Sequence, residues 1–476
     1  MLGTVLTASN DTVERAGCSL RHALLVPVLA ALAGLVLEMG AASAGAQASP
    51  QGELAGGSQP LSGRRLDYSG ALARARRAPQ AVLAALAEQR SRAAGVNAAN
   101  AAFLPRLSLS ASAAVRHQEF WQPPPATGGG TQAYDAAAVA ELTLFDFGRR
   151  SKLLEAAQYH HRAAVSDVGS AQLQAQLAAS DAYLRAAAAR RMTNAFTAIV
   201  ERRRDMLRAT ERLVAANVKP EVDVQRAMLE VVSAEADLTT WRNREQAELA
   251  ALSVVLAMPV DGALTLVPAG DQELAVDVPS RATADVRCAD PLVMAARARA
   301  KAAASAAESS DRAVLPVLSL QARSAFNRLA ELYGSPAPPP FTLSATSWEA
   351  SGMLSLRWDG LDATLWHQAA SAGHAAEAAR HTLAQTVQQR ELLVHQTTLE
   401  VRNGRARLSQ QARAVQVARR AFAAQDHRYR EGLASTLELL DVRDALDRAE
   451  VQHIAGQLEL DLARGRLRLL SPGCPS

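Results

Sequence analysis

The sequence predicts a mainly α-helical fold written twice, with long coiled-coil-like helices and two strand pairs suited to a β-barrel wall. Composition is the first reason. Ala dominates the 476 residues, aromatics are only 4%, and Gln, Glu and Arg are common among the rest. That balance favours long helices over a thick mixed core, because few large side chains bring little apolar area to bury. The second reason is an internal duplication, and the third is a seven-residue apolar period.

The duplication is read from three motifs in the same order. Leu104-Pro-Arg-Leu-Ser-Leu-Ser-Ala111 recurs as Leu315-Pro-Val-Leu-Ser-Leu-Gln-Ala322. Glu141-Leu-Thr-Leu-Phe-Asp-Phe-Gly148 corresponds to Met353-Leu-Ser-Leu-Arg-Trp-Asp-Gly360, and Asn217-Val-Lys-Pro-Glu-Val-Asp223 to Gly432-Leu-Ala-Ser-Thr-Leu-Glu438. Each half reads helix, two strands, a very long helix, a turn and a second long helix.

In chain order, residues 1–48 are expected to be a signal peptide. Ala23–Leu37 is an apolar run preceded by Arg15 and Arg21 and followed by Ala42, Ala44, Ala46 and Ala48. The run is short for a membrane span. Cys18 falls inside this leader, leaving Cys288 and Cys474 in the mature chain. An oxidising compartment would let them pair, and sequence leaves their proximity open.

The first repeat is expected over 49–257: a helix, a strand pair at 106–121 and 136–147, and a helical hairpin at 148–257. A connecting segment, 258–289, follows beside the helical barrel. The second repeat is expected over 290–470, with strands at 317–330 and 348–358 and a hairpin at 360–470. A tail, 471–476, ends the chain.

Period-two alternation marks the strands. Leu107, Leu109, Ala111 and Ala113 alternate with serines, and Leu318, Leu320 and Ala322 alternate with Ser319, Gln321 and Arg323. Pro- and Gly-rich stretches, Gln122–Thr131 and Ser335–Thr346, read as the connecting loops. Such strands suit either a water-filled membrane barrel or a half-buried soluble sheet. Beside a signal peptide, in a chain otherwise helical, the barrel prevails. Four strands cannot close a pore, and lipid tolerates no open edge, so several chains must share one barrel.

The long helices carry Val387, Val394, Val401, Leu408, Val415, Phe422 and Tyr429 at seven-residue spacing, and likewise Met192, Ile199, Met206 and Leu213. This period imposes left-handed supercoiling. Gly148 to Val218 would extend roughly 105 Å if continuously helical, which suits a rod or tube.

Together these residues resemble the TolC-like outer-membrane efflux and secretion channels, from about Leu66 to Leu470. The most specific matches are the LP-x-LSL repeats, Phe145-Asp-Phe-Gly-Arg-Arg150, and Gly432-Leu-Ala-Ser-Thr-Leu-Glu-Leu-Leu-Asp441. The resemblance implies a homotrimer in which each subunit gives four strands to a shared outer-membrane β-barrel. Its long helices would form an α-barrel tunnel through the periplasm. It implies partners: a periplasmic adaptor, and an inner-membrane ABC exporter or proton-driven pump. It places the adaptor at the hairpin turns, Asn217, Val218, Lys219, Pro220 and Gly432, Leu433, Ala434, Ser435.

It also places a constriction at Tyr429, Glu438 and Asp441, with Asp223 on the companion hairpin. Glu438 and Asp441 share one helix face, so three-fold symmetry would stack two acidic rings that favour cations. Acidic residues near a helix N-terminus also arise simply from the macrodipole. One member of the family has an Arg two residues beyond the turn Gly, helping to lock its closed state. Here that position is Ala434, leaving Lys219, Arg428 or Arg430 to take its part. No Cys stands directly behind the apolar run, where a lipid anchor would need one, which resembles members serving type I toxin secretion, of the cyclolysin type, more than lipid-anchored drug-efflux members.

An enzyme is not expected, since no phosphate loop or catalytic triad context is present, and no cofactor is implied. His160-His161 and His374/His381 read as solvated-face residues. The net charge of +4 is interleaved rather than clustered, which gives nucleic-acid binding no support. The rival class is a periplasmic adaptor or structural coiled-coil protein, which usually has one hairpin where this chain has two.

Overall fold

The computed structural model describes residues 65–77, 79–120, 127–260, 264–270, 273–275, 290–334 and 342–470. The expected signal peptide, the tail, and both Cys288 and Cys474 lie outside these residues. Each long element forms where the period expects it. Short β1 (Arg65–Leu66) and α1 (Tyr68–Ala75) lead into α2 (Gln80–Ala101), β2 (Arg106–Phe120) and β3 (Thr127–Phe145). The first hairpin is α3 (Arg149–Ala215) with α4 (Val222–Val255), followed by β4 (Thr265–Leu266). The second half is α5 (Pro291–Asp311), β5 (Val317–Gly334), β6 (Thr342–Arg357), α6 (Ala363–Arg430) and α7 (Thr436–Leu470).

β2, β3, β5 and β6 form one antiparallel sheet in that order. Register aligns the apolar set of every strand on one face. Leu109 stands opposite Ala138, which pairs Ser324, which pairs Ala350. Leu142, Leu320 and Leu354 form another such row. The other face carries Ser112, Asp135, Asn327 and Ser347 in one row. No other element packs extensively on either face, and Leu109, Val115, Trp348, Leu354 and Leu356 are exposed.

The strands differ from expectation at their outer ends. β3 begins at Thr127 and β6 at Thr342, inside stretches expected as loops. Gly128–Gly130 pair with β2 on one side and β5 on the other. Two complete hydrogen-bond ladders thus outweigh the poor strand propensity of glycine.

The motif Phe145-Asp-Phe-Gly-Arg-Arg150 is the joint between sheet and helix. Asp146 accepts from the backbone N–H of Gly148 (3.2 Å) and Arg150 (3.0 Å). This satisfies two donors that a helix start leaves open. The Arg150 guanidinium returns to Asp146 (2.9 Å), to Ala102 O and to Thr143 O, tying helix, strand and α2 together. In the second repeat Asp362 caps α6 by accepting from Thr364 N–H at 2.8 Å.

The helices lie in two rows. On the sheet side, α2 packs on α3, α3 on α5 and α5 on α6; toward the turns the order is α4, α3, α7, α6. The heptad stripes lie in these seams, where Val394, Val401, Leu460 and Leu467 form one buried cluster and Ile199, Val200, Ala234 and Leu238 another. At mid-length, Tyr68 and Tyr183 meet edge to face, with centroids 5.6 Å apart. Tyr183 OH donates toward Leu66 O and Val267 O, clamping the short parallel β1–β4 pair against α3. Burial pushes both phenol pKa values up. Among the described residues, no helix is long and apolar enough to cross a membrane.

Candidate functional site

Both hairpins close with the same backbone device. At the end of α3, Asn217 takes a left-handed φ of 55°, and at the end of α6 Gly432 takes 77°. Val218 N–H then donates to Leu213 O and Asn217 N–H to Val214 O. Leu433 N–H and Gly432 N–H do likewise to Arg428 O and Tyr429 O. These are Schellman caps, which satisfy the last helical carbonyls and reverse the chain. The two turns touch: a Cβ on Gly432 would stand 3.3 Å from Val218 Cγ1.

Side chains lock the turns together. Lys219 Nζ donates to Ala434 O at 2.7 Å and sits 5.4 Å from the Tyr429 ring centre, within cation–π reach. The buried Tyr429 hydroxyl shares a 2.9 Å bond with Thr210 Oγ1. Thr436 Oγ1 donates to buried Asp223 Oδ2 at 2.7 Å, joining α7 to α4. Of the three residues considered for the part of the missing arginine, Lys219 makes the bridge. Arg430 pairs with Asp426 on its own helix, and Arg428 is exposed.

The expected site residues therefore divide by environment. Asp223 and Tyr429 are internal ties within one chain. Glu438 and Asp441 are exposed, with Glu438 accepting from Gln425 Nε2 at 2.9 Å. Pro220 opens the approach to α4, where its carbonyl accepts from Asp223 N–H. Ser435 Oγ accepts from Glu438 N–H at the start of α7. Val218, Leu433 and Leu437 leave apolar surface exposed around the turns.

Just behind the turns lies an ionic network that sequence reasoning missed. Arg443 is 1% exposed, yet its guanidinium reaches Glu230 on α4 at 2.9 Å and Met206 Sδ on α3 at 3.1 Å. Arg203 reaches Glu230, Asp444 and Asp447; Arg202 reaches Asp447 (2.8 Å) and Glu450 (2.9 Å). Burial, aided by the charge of Arg203, pushes the Arg443 pKa down. The acids repay part of that desolvation cost. A signal was present, since Arg443 falls on the same helix side as Leu439 and Leu446, where a solvated charge does not belong.

Elsewhere, His374 and His381 flank Glu377 at 3.7 and 3.9 Å on the exposed side of α6. Among the described residues no group of three donors is placed to hold a metal ion.

Comparison with known proteins agrees with this architecture. Among curated proteins, none matches this sequence. Solved structures share its fold, three among them as follows. VceC from Vibrio cholerae, an outer membrane protein, is 20% identical, with a TM-score of 0.64 over 86% of this chain and 97% of that one. The open-state MtrE outer membrane channel of Neisseria gonorrhoeae is 18% identical, with a TM-score of 0.65 over 85% and 89%. CusC, whose structures concern transmembrane channel formation, is 15% identical, with a TM-score of 0.73 over 85% and 92%. The family model for outer membrane efflux proteins matches residues 71–257 and 283–471, spanning both repeats. The chain therefore belongs to the outer membrane efflux protein family, a family of transport channels.

Proposed function

We propose that this chain is one subunit of a homotrimeric exit duct, non-catalytic, that carries cargo from an inner-membrane transporter through the periplasm and across the outer membrane. The observation that carries this reading is the four-stranded sheet. Among the described residues its apolar face is uncovered and its edges, β2 and β6, are unpaired. An exposed edge of this length invites pairing with another chain. Three copies joined edge to edge would leave no free edge, with apolar rows toward lipid and the Ser-, Asp- and Arg-bearing rows toward water.

Aromatic residues support the membrane placement. Tyr134, Phe326 and Trp348 are exposed near mid-length of the sheet; Phe145, Phe147, Trp358 and Trp366 are exposed at the helix end. From Trp348 to Trp358 the chain rises ~33 Å, which projects to about 25 Å at ordinary barrel tilt. That equals the apolar band between aromatic girdles. The loops joining β2 to β3 and β5 to β6 would face the exterior.

The hairpin turns would then form the periplasmic end. An adaptor would dock on Asn217–Pro220 and Gly432–Ser435, where Val218 and Leu433 offer apolar contact. Exposed Glu438 and Asp441 would form acidic rings, with Asp223, Tyr429 and Lys219 as the ties behind them. Energy for export would come from the transporter.

The family is described by efflux, which makes small molecules one candidate cargo. Type I secretion of a protein toxin, expected from the sequence, is the competing cargo for the same duct. Deletion of the gene separates them: drug sensitivity with normal secretion points to efflux, and lost toxin secretion with unchanged drug tolerance to the second. Density-gradient fractionation of cell envelopes tests the duct itself. Recovery with the outer membrane is the expected result; recovery with soluble periplasm or inner membrane would put an adaptor role ahead.

A further inference from the structure

Where the two repeats meet inside the chain, they form a seam that serves as template for another. With the turn residues Asn217 and Gly432 placed in register, the Arg204–Glu235 pair between α3 and α4 (2.7 Å) falls on the Arg419–Glu450 pair between α6 and α7 (2.9 Å). So α6 is the counterpart of α3, and α7 the counterpart of α4. Toward the turns, α3 packs on α4 at one side and on α7 at the other. Among the described residues, α6 there packs on α7 and no further element packs extensively along its outer side; α4 is likewise open beyond α3. Each chain thus presents the two halves of an α3–α7 seam without joining them.

The inner seam is ionic. Arg202 and Arg203 on α3 face Asp444 and Asp447 on α7, with Arg443 beneath. At the matching positions on the open faces the charges are gone from both sides together. Val417 and Ala418 on α6 stand where Arg202 and Arg203 would be. Met228, Leu229 and Val232 on α4 stand where Arg443, Asp444 and Asp447 would be. Val417 is 66% exposed, Met228 54%, Leu229 68% and Val232 54%. Loss of a cation and its anion as a pair is what two surfaces that meet require, since loss of one alone would strand a charge.

We propose that α6 of one copy packs on α4 of the next through an apolar seam: Val417 and Ala418 against Met228, Leu229 and Val232 of the partner subunit. The inference rests on the homo-oligomer proposed above and names its contact toward the turns. The occupant is a second copy because one chain carries both halves, a head-to-tail arrangement that closes into a ring. The unpaired β2 and β6 edges demand a neighbour in the same sense. The α3–α7 seam within a subunit thus carries ion pairs beside its apolar contacts, whereas the seam between subunits is apolar and is not screened by salt.

The experiment uses full-length protein in detergent. In a Cys288→Ser/Cys474→Ser background, oxidation of the Val232→Cys/Val417→Cys pair should yield covalent dimers and trimers on denaturing gels. The matching inner pair, Arg202→Cys/Asp447→Cys, should link within one chain and stay at monomer mass. Val232→Asp and Val417→Arg should each lower the oligomer fraction at least tenfold, with helical content unchanged by circular dichroism. The double variant rebuilds the Arg202–Asp447 pairing at this position and should restore assembly. An oligomeric wild type that shows neither the cross-link nor sensitivity to either single variant overturns the seam. A monomeric wild type overturns the oligomer reading itself, and the seam with it.

Discussion

Lys219 ties one hairpin turn to the other, its ammonium donating to the Ala434 backbone oxygen across the pair. A charged hydrogen bond of this kind contributes on the order of 1 kcal/mol. Lys219→Ala is expected to loosen the paired turns and raise single-channel conductance in planar bilayers, while Lys219→Arg stays near wild type. Equal conductance for Lys219→Ala would remove the residue from the lock. Glu438→Gln with Asp441→Asn is expected to weaken cation preference in the same recordings, and unchanged selectivity would place both outside the constriction. Arg443 is the more costly site. Its removal leaves Glu230 with one cation fewer, so Arg443→Ala should destabilise the protein by about 3 kcal/mol, read as a lower thermal midpoint by circular dichroism. Lys219 was one of three cations the sequence named near the turn, and it is the one that reaches Ala434 O. Arg443 was not proposed, although it falls on the Leu439 and Leu446 side of α7, because only tertiary packing decides which helices cover that side.

At the scale of elements, the heptad stripes, the strand faces and the turns were all legible. Each depends on spacing within one segment, as with Val394 and Val401 on α6 or Leu107 and Leu109 on β2. The outer ends of β3 and β6 were not, because Gly128–Gly130 are extended by neighbours on both sides rather than by their own preference. A short epitope inserted between Phe120 and Thr127 should be reached by antibody on intact cells. Access only after the outer membrane is broken would reverse the proposed orientation. The tyrosine clamp makes a pH prediction. Burial raises the Tyr68 and Tyr183 pKa values, so the folded chain holds protons that the unfolded chain releases above about pH 10. Stability is then present below that pH and falls as pH rises. Tyr183→Phe should flatten the decline in an alkaline denaturation series; an identical slope would detach the clamp from it.

For the whole molecule, the repeat is the organising fact, and the sequence alone established it, together with helix and strand identity, the turn positions and the family resemblance. These follow from short-range physics: periodicity, propensity and chain reversal are written in neighbouring residues. The tertiary structure decided which side chains meet. Arg202 and Asp447 lie 245 residues apart, and no local pattern encodes their 2.8 Å approach. It also decided which faces stay open, since exposure of Val417 and Leu229 has meaning only once every other helix has taken its partner.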